Sequence, residues 1–214
     1  MTGSVDKFLA GKTQSRRARL IFALDATASR QPTWDMACKL QAQMFREAVN
    51  IGQLDVQLVY YRGIVEIDSE CRASQWMPPA GLTAAMQKIQ CRAGETQIGM
   101  ILTHVTRETQ QLGVNALIFV GDAMEENPDS LVTRAAGMGV PAFMFQEGND
   151  REVEKVFKAI AFASHGAYAR FDSSAARQLA DLLRAVLAFV TGGLTALAAR
   201  KDETSIKLLG QLKS

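Results

Sequence analysis

A carboxylate and two hydroxyls at alternate positions, Asp25, Thr27 and Ser29, follow directly on the apolar run RLIFAL at 19–24. A curled loop there can turn all three oxygens toward one point. Two further oxygen-bearing residues hold comparable places: Thr96 opens a helix within the turn AGET, and Asp122 comes just past the apolar run at 114–120. Hard cations such as magnesium take oxygen ligands in an octahedral array, so donors gathered from three separate turns are the chemistry of a divalent metal site. Each residue taken alone has an ordinary alternative, because Asp, Ser and Thr crowd turns and helix caps. Asp25 and Ser29 would then bond within their own loop, Thr96 would cap a helix and Asp122 would close a turn. The shared context, each group past a strand or at a helix start, favours the metal site.

Such a site needs a frame that brings distant turns together. Apolar residues at helical spacing (Met36, Ala37, Leu40, Met44, Phe45, Ala48) predict a helix over 34–51. DVQLVYY at 55–61 reads as a strand closed by Gly63, with 64–67 beginning an antiparallel neighbour. Helices are expected at 82–91, 97–112, 128–137, 150–164 and 175–190, and strands at 114–120, 140–145 and 167–171. Apolar strands alternating with helices mean an α/β fold: a doubly wound, mostly parallel six-stranded sheet covered by helices on both faces, with one short antiparallel edge strand. Ligands of such sheets bind beyond the carboxyl ends of the central strands, where Asp25 and Asp122 fall.

Composition sets outer bounds. A chain of 214 residues, 48% hydrophobic, suffices for one full core. Residues 1–18 read as a basic N-terminal arm, 19–190 as the domain and 191–214 as a tail with weak helical amphipathicity. With 24 basic against 22 acidic side chains there is no field to draw nucleic acid or anionic lipid. The uncharged stretch 185–199 is shorter than the ~20 residues a bilayer needs and is divided by Gly192 and Gly193, so a buried helix end is expected rather than a span. The first twenty residues lack the apolar core of a secretory signal, so a cytoplasmic location is expected. Cys38, Cys71 and Cys91 lack CxxC spacing and read as reduced thiols. His104 and His165 read as surface or helix-end residues, and Glu125 and Glu126 as a solvent-facing loop.

The D-x-T-x-S loop, the distant threonine and the later aspartate, in this order of elements, resemble the von Willebrand factor A (VWA) family over about residues 19–190, in a bacterial cytoplasmic form. The family's metal-ion-dependent adhesion site (MIDAS) combines an Asp-x-Ser-x-Ser loop with those two residues. The resemblance implies that Thr27, Ser29 and Thr96 touch the metal while Asp25 and Asp122 act through water. The departure is Thr27, which keeps the hydroxyl of the family's serine and adds a methyl group. It further implies magnesium, with manganese or calcium as alternatives, and a protein partner that presents an Asp or Glu. Mostly neutral inner ligands would leave the cation's charge underneutralised, and a partner's carboxylate would supply what is missing. On this reading the chain is an interaction module and not an enzyme, and an adaptor in an ATPase-linked complex is an expectation by analogy. Two other readings stand beside it: a metal-assisted hydrolase or phosphotransferase using Asp25 in the same crevice, and a metal-free scaffold.

Overall fold

The computed structural model describes residues 17–30, 54–62, 71–171 and 176–212. Its frame is a six-stranded sheet: β1 (Ala18–Asp25), β2 (Leu54–Tyr61), β3 (Arg72–Ala73), β4 (Ala116–Gly121), β5 (Ala142–Glu147) and β6 (Ala167–Phe171), in the spatial order β3-β2-β1-β4-β5-β6. All neighbours run parallel except β3, which lies antiparallel on β2. Every residue of β4 and β5 is buried, as strands covered on both faces require. The order runs outward in opposite directions from β1 and β4. The carboxyl ends of those two strands, carrying Asp25 and leading to Asp122, therefore flank the topological switch point.

Strand alternation sorts the core into two layers. Leu20, Phe22 and Leu24 of β1 pack with Ile118 and Val120 of β4 under α1 (Leu82–Met86), α5 (Ala176–Ala199) and α6 (Glu203–Leu212). Ile21 and Ala23 pack with Val59, Tyr61, Leu117 and Phe119 under α2 (Ile98–Leu112), α3 (Pro128–Ala136) and α4 (Arg151–Ala163). Asp25 continues the alternation of Ile21 and Ala23, so its side chain belongs to the α2 face, at the upper rim of that layer.

Several expectations need adjustment. The helix at 82–91 stops at Met86, because the chain must turn and extend for the Arg92 amide to reach the Ala26 carbonyl at 3.1 Å. The antiparallel edge strand is Arg72–Ala73, while the expected strand at 64–67 and helix at 34–51 lie outside the described residues. His104 is not at the surface: it is buried in the middle of α2, its Nε2 2.8 Å from Gln57 Oε1 and its Nδ1 3.1 Å from an Arg107 guanidinium nitrogen. His165, in contrast, sits just past α4 with φ of 57°.

The helix expected at 175–190 runs on to Ala199 across a kink at Gly193, whose φ of 66° lies in the left-handed region. The stretch 180–199 has the length and apolarity of a membrane-crossing helix, and its Leu183, Val186 and Leu187 are buried against the sheet. The tail residues Leu197 and Leu208 are buried in the same layer. The Gln211 side chain bonds both backbone groups of Tyr168 on edge strand β6, accepting from its amide at 2.8 Å and donating to its carbonyl at 3.0 Å.

Candidate metal centre

β1 ends at Asp25, and the backbone after it is tied down on both sides. The Ala26 amide donates to the Tyr61 carbonyl at 3.1 Å, and the Ala26 carbonyl accepts from Arg92 at 3.1 Å. Thr27 and Arg92 form a parallel bridge, so the segment leading to Thr96 is stitched to the Asp25 loop. Within the loop, Asp25 Oδ1 accepts from the Thr27 amide at 2.8 Å, a turn-closing bond of the kind aspartate favours. A short 3-10 turn, Ala28–Arg30, then brings Ser29 back so that its Oγ lies 3.1 Å from Thr27 Oγ1. Asp25 and Thr27 are buried, and Ser29 is exposed at the mouth.

Only half of Asp25 is used by its loop. Its Oδ2 is buried without a hydrogen-bond partner, and so is Asp122 Oδ1 on the neighbouring strand's loop. Burial raises the Asp25 pKa above the usual carboxylate range; bonds from Thr27 oppose the rise, and the charge of Asp122 adds to it. Gly121, at the end of β4, leaves room for the Phe119 ring: a Cβ there would lie 2.8 Å from that ring and in ordinary contact, at 3.4 Å, with Asp25 Cβ. Two carboxylates drawn together with a buried, unpartnered oxygen on each form a pair whose repulsion a cation would relieve.

Thr96 joins this cluster through a different contact. It does not cap α2, because Gln97 holds the cap position and makes no side-chain bond there. Instead Thr96 and Glu125 clasp each other: the Thr96 amide donates to Glu125 Oε2 at 2.9 Å, and the Glu125 amide donates to Thr96 Oγ1 at 2.9 Å. The cap of α2 comes from Glu126, whose carboxylate accepts from the Ile98 amide and from the Gly99 amide, the latter at 2.9 Å. A Cβ on Gly99 would stand 2.8 Å from Glu126 Oε2, so glycine admits the carboxylate. Burial raises the Glu126 pKa, partly offset by the two amides and by Arg134.

Glu125 and Glu126 are thus not a bare solvent-facing loop; they fasten the β4 loop to the start of α2. Asp25, Thr27 and Ser29 are gathered in one turn, Asp122 is coupled to them by charge, and Thr96 is linked through the Arg92 bridge and the Glu125 clasp. The sequence hint for the two glutamates was their place immediately beyond Asp122; their helix-capping partners lie in another segment.

This donor set fits a hard cation. Two ligand oxygens at right angles about magnesium, each at 2.0–2.1 Å, stand about 2.9 Å apart, whereas calcium's longer bonds put them at roughly 3.3–3.7 Å. The Thr27–Ser29 separation of 3.1 Å, a hydrogen-bond distance, falls between the two spacings, so the hydroxyl pair is compact enough to share one ion, and the unpartnered oxygens of Asp25 and Asp122 supply the negative charge. Among the described residues no group of three or more His, Cys, Asp or Glu side chains is placed to hold a metal ion, so the candidate site depends on its hydroxyl donors.

No family model and no curated protein matches the sequence. Solved structures do. The chain is similar to an aerotolerance-related membrane protein from Bacteroides fragilis at 16% identity and a TM-score of 0.58, over 79% of this chain and 98% of that one. It is similar to the SpRpn10 VWA domain at 12% identity and a TM-score of 0.60, over 79% and 95%. The vWF domain of the type V pili tip protein Mfa5 from Porphyromonas gingivalis aligns at 9% identity with a TM-score of 0.60, over 81% and 96%. The chain has a VWA-like fold.

Proposed function

We propose that this domain is a metal-dependent interaction module, which binds magnesium at the crevice between β1 and β4 and docks an acidic side chain of a protein partner on the ion. Domains of this fold are protein-interaction modules, and the likeness to the SpRpn10 and Mfa5 domains agrees with that use. The observation that carries the metal reading is the pair of buried, unpartnered oxygens, Asp25 Oδ2 and Asp122 Oδ1, beside two hydroxyls 3.1 Å apart. Thr27, Ser29 and Thr96 would hold the ion, with Asp25 and Asp122 balancing its charge behind them. Bound there, the ion supplies an electrophilic seat for a carboxylate.

The protein's own part is to keep the seat assembled. The Ala26 bonds to Tyr61 and Arg92 fix the loop, and the Glu125 clasp fixes Thr96. The test is the melting temperature of the full chain against magnesium concentration. At a hundredfold excess over Kd, binding to the folded state alone adds about 2.7 kcal/mol, which is several degrees in a chain of this size. Asp25→Asn should abolish that shift. No shift in the natural protein, or an equal shift in the variant, would defeat the metal reading. Capture of an acidic peptide that persists unchanged in chelator would defeat the docking step.

A further inference from the structure

Among the described residues, the buried polar atoms without a hydrogen-bond partner include, besides Asp25 Oδ2 and Asp122 Oδ1, two on residues next to the ligand set in register or sequence: Tyr61 Oη, paired with Asp25 across β1 and β2, and Gln97 Nε2, which follows Thr96. Tyr61 is the more informative. It ends β2, its Cα pairs with that of Asp25 in the parallel register, and it is only 1% exposed. Its ring stacks on Phe119 at 6.3 Å between centroids, a place a phenylalanine would fill as well. What tyrosine adds is a hydroxyl on the strand position paired with Asp25, an interaction that favours the ionised carboxylate, while Tyr61 Oη and Asp25 Oδ2 are both buried without a hydrogen-bond partner.

A buried hydroxyl left open is a cost that packing does not explain. An ionised carboxylate only accepts, so the phenol is the donor of this pair. Burial first, and the charge of Asp25 second, push the Tyr61 pKa well above the ordinary tyrosine range.

We propose that Tyr61 is a positioning residue for the cation: when the ion is bound, its hydroxyl donates to Asp25 Oδ2 and holds the carboxylate in the orientation that balances the ion's charge. Oδ1 is already fixed by the Thr27 amide, so one further bond to Oδ2 leaves the carboxylate no freedom to rotate. The hydroxyl acts through Asp25 and does not touch the ion. This inference rests on the metal reading above.

The test uses the full chain and magnesium chloride, with affinity from titration calorimetry and melting temperature measured separately in chelator. Tyr61→Phe removes the hydroxyl and keeps the ring. Partners of metal ligands typically contribute 10–100-fold to affinity, so magnesium binding should weaken about tenfold while the melting temperature in chelator stays level or rises. Phe119→Leu disturbs the same ring stack without touching the hydroxyl; it should lower the melting temperature in chelator and leave the affinity in place. Equal magnesium affinity in Tyr61→Phe and the natural protein overturns the proposal. So does a loss of affinity in Phe119→Leu as large as that in Tyr61→Phe, since packing would then account for both. A natural protein that takes up no magnesium removes the metal reading itself, and is recognised before any variant is made.

Discussion

At the scale of single residues the centre is a balance between burial and charge at Asp25. Its folded-state pKa is raised, so the folded protein holds this proton more tightly than the unfolded chain does. Stability from that proton is present below the unfolded value, near 3.9, and is lost as pH rises through the raised folded value. In chelator, the melting temperature of the natural protein should therefore fall more steeply above about pH 4 than that of Asp25→Asn, which carries no titrating group there. Superimposable pH profiles would contradict it. Magnesium should flatten the natural protein's profile by favouring the ionised carboxylate. Asp25, Thr27, Ser29, Thr96 and Asp122 could be picked from the sequence because each follows an apolar strand or opens a helix. Tyr61 could not, since its meeting with Asp25 depends on the β1–β2 register, which the residues between the two strands do not reveal.

At the scale of elements, the start of α2 is the joint on which the site turns. Helix N-termini carry unsatisfied amides, and here the cap is a glutamate borrowed from the loop after β4. Glu126→Ala should cost about 1 kcal/mol, the usual value of a lost cap, or roughly 2–4 °C in a chain this long. Glu126→Gln, which retains an acceptor oxygen, should cost less. Melting temperatures unchanged in both variants would show that the cap is dispensable. The strands and longer helices were legible because their apolar periods are strong, as in the continuous run at 114–120 and the face Ile98, Ile101, Leu102 and Val105. The short α1 was overextended because Leu82, Ala85, Met86 and Ile89 keep helical spacing beyond the point where the chain turns toward Ala26. His104 was misplaced because its partners, Gln57 on β2 and Arg107 on its own helix, make burial tolerable only once the two elements pack.

At the scale of the whole molecule, the residues after 190 are part of the body: Leu197 near the end of α5 and Leu208 of α6 are buried in the same layer, and Gln211 pairs with Tyr168. Removing residues 202–214 should uncover apolar surface and an unpaired edge strand together. Loss of one buried leucine alone is worth about 1.5–3 kcal/mol, so the melting temperature should drop by several degrees. The truncated chain should also associate as its concentration is raised in sedimentation velocity. A truncated chain that stays monodisperse with its melting temperature intact would show that α6 is an ornament. The Gln211 contact has a further meaning. A side-chain amide offers one donor and one acceptor in the spacing of a peptide, so it plugs a single rung of the ladder that β6 would otherwise hold out to another strand. Lateral growth is checked there by occupancy rather than by bulk.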